Sequence, residues 1–260
     1  MRALFILCLT IAISMPAFSE AINGGVEKRD LKQGSNQVID STTGYGIPEA
    51  NVSLPAKKFS TTTDDEGRFQ LGTKITAPTI MSVNKDGYRP FSLTLDSETT
   101  GKPLVVGIEK STPKDLVLET DMIHLGDNNF SQNSANAGDF AVKSIGPFYS
   151  KEIKVSSVKP GESIYINIGS IIGIDTMTSR NLGQSKVTST YADPPQVFVN
   201  GNKIAEIKIN GDGQEIKIPP GIVKENQLNE ITIKAGKNLF QTSYIDYDDI
   251  EFTNLQLEVK

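Results

Sequence analysis

The sequence predicts an all-β protein built as two tandem β-sandwiches, a small seven-stranded one followed by a larger one. Three observations predict it. Apolar residues recur at period two along short runs rich in β-branched side chains. Gly, Asn, Asp and Pro clusters punctuate these runs at short intervals. The chain has 260 residues, and a domain of ~100–150 residues is usual, so two domains are expected.

The chain opens with Met1 and Arg2, an apolar run from Ala3 to Met15, and Pro16-Ala17-Phe18-Ser19. A basic start, an apolar middle and a small-residue exit form the pattern of a secretory signal peptide, assigned to residues 1–19. The run falls short of the ~20 residues that span a bilayer. Residues 20–36 are polar and contain Gly24-Gly25 and Gly34, and read as a flexible leader. Cys8 is the only cysteine and lies within the signal, so the mature chain is expected to carry neither thiol nor disulfide. Its leucine neighbour, Leu7, argues against a lipid-attachment cysteine. Export without disulfides suits a secreted, periplasmic or cell-envelope protein. Formal net charge is −5 and no basic run exceeds a pair, which argues against nucleic acid as a partner.

The first module is placed at residues 37–110. Its expected strands are Gln37–Asp40, Ala50–Leu54, Lys58–Thr62, Arg68–Leu71, Thr79–Val83, Phe91–Leu95 and Leu104–Ile108. Turns fall at Thr43-Gly44, Ile47-Pro48, Asp65-Glu66-Gly67 and Asp86-Gly87. In Ala50-Asn51-Val52-Ser53-Leu54 the apolar side chains alternate, so one face is buried and the other wet. The ordered segments Val38-Ile39-Asp40, Ala50 to Leu54, Thr61 to Leu71 and Val83 to Tyr88 resemble the carboxypeptidase regulatory-like domain, a transthyretin-like sandwich. That resemblance implies a structural or binding accessory without an active site of its own.

Residues 111–114, Ser-Thr-Pro-Lys, form a short linker, so the modules are expected to touch. The second module, 115–260, has expected strands at Leu116–Thr120, Phe140–Val142, Glu152–Val155, Ser163–Ile168, Ser170–Ile174, Gln196–Val199, Lys203–Lys208, Glu215–Ile218, Glu230–Lys234 and Ile250–Val259. Asn200-Gly201 between two strands is a strong hairpin signal. In the last strand Ile250 and Phe252 share one parity and Leu255, Leu257 and Val259 the other, which predicts a bulge near Thr253-Asn254. The segments His124 to Phe130, Val197 to Gly201, Asn229 to Ile233 and Asp248 to Phe252 make this module similar to the jelly-roll sandwiches of galactose-binding-like and carbohydrate-binding modules.

The chemistry-bearing residues point toward binding. His124 is the sole histidine and no Gly-x-Ser-x-Gly elbow exists, so Ser–His–acid catalysis is not expected, and His124 is expected to hydrogen-bond within a loop. One histidine without cysteine disfavours zinc. Asp246, Asp248, Asp249 and Glu251 read as a solvated turn with capping acids, with a glycoside-hydrolase acid pair as the remote alternative. Asp212-Gly213 reads as a β-turn. The jelly-roll resemblance implies a structural calcium ion held by Glu119, Asp127, Asn129 and Asp249. Sugar recognition rests on exposed rings that stack on pyranose faces. The chain has no Trp, which leaves Phe148, Tyr149, Tyr191, Tyr244 and Tyr247 as platform candidates. The resulting expectation is a secreted, non-catalytic accessory protein that binds carbohydrate or a cell-surface partner through loops of the second module. A structural or adhesive scaffold is the alternative.

Overall fold

The computed structural model describes residues 35–131, 133–134, 140, 142–187, 191–236 and 248–260. The expected signal peptide, most of the leader, Asp246 and the candidates Tyr244 and Tyr247 lie outside the described residues. Gln33–Lys260 is one compact unit, and it is an all-β structure with two apolar cores.

The first core lies between two sheets. One contains β1 (Asn36–Asp40), β4 (Arg68–Phe69) and β7 (Val105–Ile108), in the order β4-β1-β7 with β1 and β7 parallel. The other runs β3-β2-β5-β6, with β2 at Asn51–Leu54, β3 at Phe59–Thr62, β5 at Thr79–Asn84 and β6 at Phe91–Leu95. Alternation does its expected work: Val52 and Leu54 of β2 meet Met81 and Val83 of β5 in the core. The Asp64–Gly67 turn needs its glycine. Gly67 has φ +76°, and a Cβ there would come within 2.4 Å of the Val38 carbonyl oxygen.

The second core separates two larger sheets. The inner sheet runs β14-β11-β16-β8, from Gly211–Lys217, Ile164–Ile172, Ile250–Val259 and Leu116–Glu119, and β9 (Ile123–Leu125) also pairs with β16. The outer sheet runs β10-β15-β12-β13, from Phe148–Lys154, Leu228–Lys234, Gln196–Val199 and Asn202–Glu206. Asn200 (φ +51°) and Gly201 (φ +77°) make the hairpin between β12 and β13.

Four expectations are corrected. Ser163–Ile168 and Ser170–Ile174 form one strand, β11. Gly169 does not break it, because β14 and β16 hydrogen-bond to both its sides. Phe140 and Val142 belong to no strand. β9 and the short helix α1 (Met177–Asn181), whose Thr176 side chain caps the Ser179 N–H, are additions. Asp212-Gly213 is no turn: it lies within β14, with Asp212 opposite Ser170.

β16 is buried on both faces. Ile250, Phe252, Leu255 and Leu257 all enter the second core. Asn254 resolves their parity conflict by adopting φ +55°, and the pairing with β8 slips between Leu255 and Gln256. The opposite face meets the first sandwich. The Asn254 amide donates to Ser82 Oγ at 3.0 Å, and Glu258 lies 3.6 Å from Arg89, which also holds Asp115 at 2.9 Å. Ile80 of β5 joins Met122 and Ile172 in a small apolar cluster at the same joint. Burial of polar groups is tolerated here because the facing sandwich supplies partners.

Candidate functional site

β10, β15 and β12 each place alternate side chains on opposite faces of the outer sheet. Tyr149, Ile153, Val197, Val199, Ile231 and Ile233 point into the core. Their neighbours form the outward face. Phe148 lies opposite Lys234, and Ser150 lies opposite Thr232, which in turn lies opposite Phe198. These residues, with Gly201 and Glu230, line a shallow groove of about 340 Å³.

Phe148 is 52% exposed. Lys234 Nζ sits 4.5 Å from the centroid of the Phe198 ring, a cation–π contact that holds the ring in place. Ser150 Oγ donates to Glu230 Oε1 at 2.7 Å and lies 2.7 Å from Thr232 Oγ1. Two strand spacings and one two-residue step separate Phe148 from Phe198, about 12 Å between their Cα atoms. The face therefore offers two rings with hydroxyl, carboxylate and ammonium groups between them, on rigid strands.

Tyr149 is not part of it. Period-two geometry allows one of Phe148 and Tyr149 to face outward, and the outward residue is Phe148. The Tyr149 ring packs edge-on against Phe252 at 5.8 Å, and its hydroxyl donates to Glu119 Oε2 at 3.2 Å. Burial and the Glu119 charge push its phenol well above the ordinary value. Tyr191 is exposed and lies beneath the guanidinium of Arg180, 5.8 Å from its ring centroid, on the α1 side rather than in the groove. The missed residue was Phe198. Its signal was its place two residues before Asn200-Gly201 with outward parity.

The four expected calcium ligands do not converge. Glu119 pairs opposite Leu255, while Asp249 lies six residues earlier along the same chain segment, about 20 Å at strand rise. Glu119 accepts the N–H groups of Thr120 and Asp121, and Asp127 accepts the N–H of Asn129 at 2.7 Å in a local turn. Among the described residues no group of three or more His, Cys, Asp or Glu side chains is arranged to hold a metal ion.

Asp249 has a different partner. His124 lies on β9, not in a loop, and is 1% exposed. Its Nε2 is 2.7 Å from Asp249 Oδ1, which also accepts the Asn128 N–H at 2.8 Å. Its Nδ1 is 2.6 Å from the Val142 carbonyl and 3.8 Å from Glu251 Oε1. Asp248, Asp249 and Glu251 are buried, so the solvated turn is also corrected. The reason is coverage: β9 and the Val142 segment close over the start of β16.

No protein-family model matches the chain. Two curated relatives are L-aspartate dehydrogenases from two strains of Methanococcus maripaludis. One is 28% identical over 147 residues, covering 54% of this chain and 53% of the relative. The other is 30% identical over 130 residues, covering 48% and 47%. The chain thus spans about half the length of the curated relatives it matches. Among solved structures, a crystal structure of BuGH86 in complex with neoagarooctaose aligns over 81% of this chain and 27% of its own, at 10% identity and a TM-score of 0.30. At these levels of similarity the chain is assigned to no family by its relatives, and its function rests on its own residues.

Proposed function

We propose that this is an exported, non-catalytic accessory protein whose outer sheet, β10-β15-β12-β13, binds carbohydrate. The observation that carries the reading is the pair of outward rings, Phe148 and Phe198, about 12 Å apart across β15 with hydroxyl and charged groups between them. Rings stack on the apolar faces of pyranoses, while Ser150, Thr232, Glu230 and Lys234 exchange hydrogen bonds with ring hydroxyls. This moves the binding surface from the loops of the second module to a sheet face. Each ring contributes about 1 kcal/mol beyond its area burial, which suits dissociation constants in the micromolar to millimolar range.

The test is calorimetry of the wild-type chain against a panel of neutral and acidic polysaccharides, alongside Phe148→Ala and Phe198→Ala. Binding weakened several-fold by each substitution is the expected result. Binding untouched by both would move the site elsewhere. Absence of any binding would favour the scaffold reading, which the polar joint at Asn254, Glu258 and Arg89 supports by holding the two sandwiches together.

A further inference from the structure

We propose that His124 is carried as a doubly protonated imidazolium that pins the Val142 segment onto the start of β16, and that loss of one ring proton releases the pin. The argument starts from hydrogen-bonding roles. A carbonyl oxygen only accepts, so the Nδ1 facing Val142 at 2.6 Å carries a proton. Asp249 Oδ1 already accepts the Asn128 N–H, and as a carboxylate it only accepts, so the Nε2 at 2.7 Å carries a proton too. Two protonated nitrogens make a cation.

The surroundings match. Asp249 and Glu251 face the ring from β16 and its approach, with Asp248 next in the chain. Phe130 and Phe140 close over it, with ring centroids at 6.1 and 5.0 Å. β9 itself contributes only Ile123 and Leu125 as neighbours. Burial pulls the imidazole toward neutrality, but the Asp249 hydrogen bond, the Val142 carbonyl and the Glu251 charge outweigh it and raise its pKa above the ordinary value.

Val142 is held at two points. Its carbonyl accepts the hydrogen bond from His124 Nδ1, and its N–H donates to Glu251 Oε1 at 2.9 Å. Next in the chain, Ser144 N donates to Asn128 Oδ1 and Ile145 N to the His124 carbonyl. A neutral ring has one N–H for two acceptors. Its bare nitrogen would stand less than 3 Å from an oxygen lone pair, and that contact would open.

His124 is the sole histidine, so the ¹⁵N spectrum of its ring in the untagged protein is unambiguous. Both ring nitrogens are expected in the imidazolium range at pH 7. One titration should follow at higher pH, and exchange of the Val142 and Asn128 amides, corrected for intrinsic rates, should accelerate with the same midpoint. A neutral ring at pH 7, as a protonated Asp249 would give, overturns the proposal. So does a ring titration that leaves both amides unchanged. Asp249→Asn should lower the midpoint. Should that variant fail to fold, the wild-type titration still decides.

Discussion

The carboxylate of Asp212 on β14 takes the backbone N–H of Thr94 at 3.0 Å and the Thr94 hydroxyl at 2.8 Å, joining the edge of the first sandwich to the second. Ser170 Oγ donates to the same carboxylate at 2.6 Å. One acid therefore ties β6, β11 and β14. Hydrogen bonds to a charged acceptor contribute about 1.5–3 kcal/mol each, less where solvent reaches them. Asp212→Ala should destabilise the protein by about 2 kcal/mol in urea denaturation. A double-mutant cycle with Thr94→Val should return a coupling above ~0.5 kcal/mol. Independent, additive effects would show that the contact is idle.

Close approach at the joint depends on a missing side chain. A Cβ on Gly169 would lie 2.4 Å from Ser92 Oγ and 2.7 Å from Asn254 Cβ. Gly169→Ala should cost about 1–3 kcal/mol by overpacking. Adding Ser92→Ala should recover only part of it, because the Asn254 contact remains. A melting temperature equal to wild type for Gly169→Ala would mean that the two sandwiches separate freely.

The raised pKa of His124 gives stability a direction with pH. The unfolded imidazole titrates near 6.5, and the folded one above it. The contribution is therefore fully present below pH 6.5 and is lost as pH rises through the folded pKa. Denaturation midpoints should fall as the pH rises above 6.5 and through the folded pKa. His124→Gln should be less stable at pH 6 and lack this fall. A wild-type profile that rises over that range would contradict the assignment.

Asp249 is committed to His124 and Asn128, and Glu119 to Tyr149 and its own turn. The melting temperature should therefore be the same in chelator and in millimolar calcium. A calcium-dependent rise would require a binding site of its own, because a ligand that binds only the folded state raises stability by mass action.

Sequence periodicity by itself determined the strands of the first sandwich, the hairpin at Asn200-Gly201 and the irregularity at Asn254, because each depends on local alternation or on a single backbone conformation. It also carried the all-β class. Tertiary structure alone decided which of two adjacent rings, Phe148 or Tyr149, faces water, since the pair reads the same in either register until β15 fixes it. It decided that His124 and Asp249, 125 residues apart, come within hydrogen-bond distance, and that Asp212 sits in a strand rather than a turn. It also placed the polar face of β16 inside the molecule: Asn254, Gln256 and Glu258 would face solvent on the second sandwich alone, and only the first sandwich packed against them supplies the partners that make their burial stable.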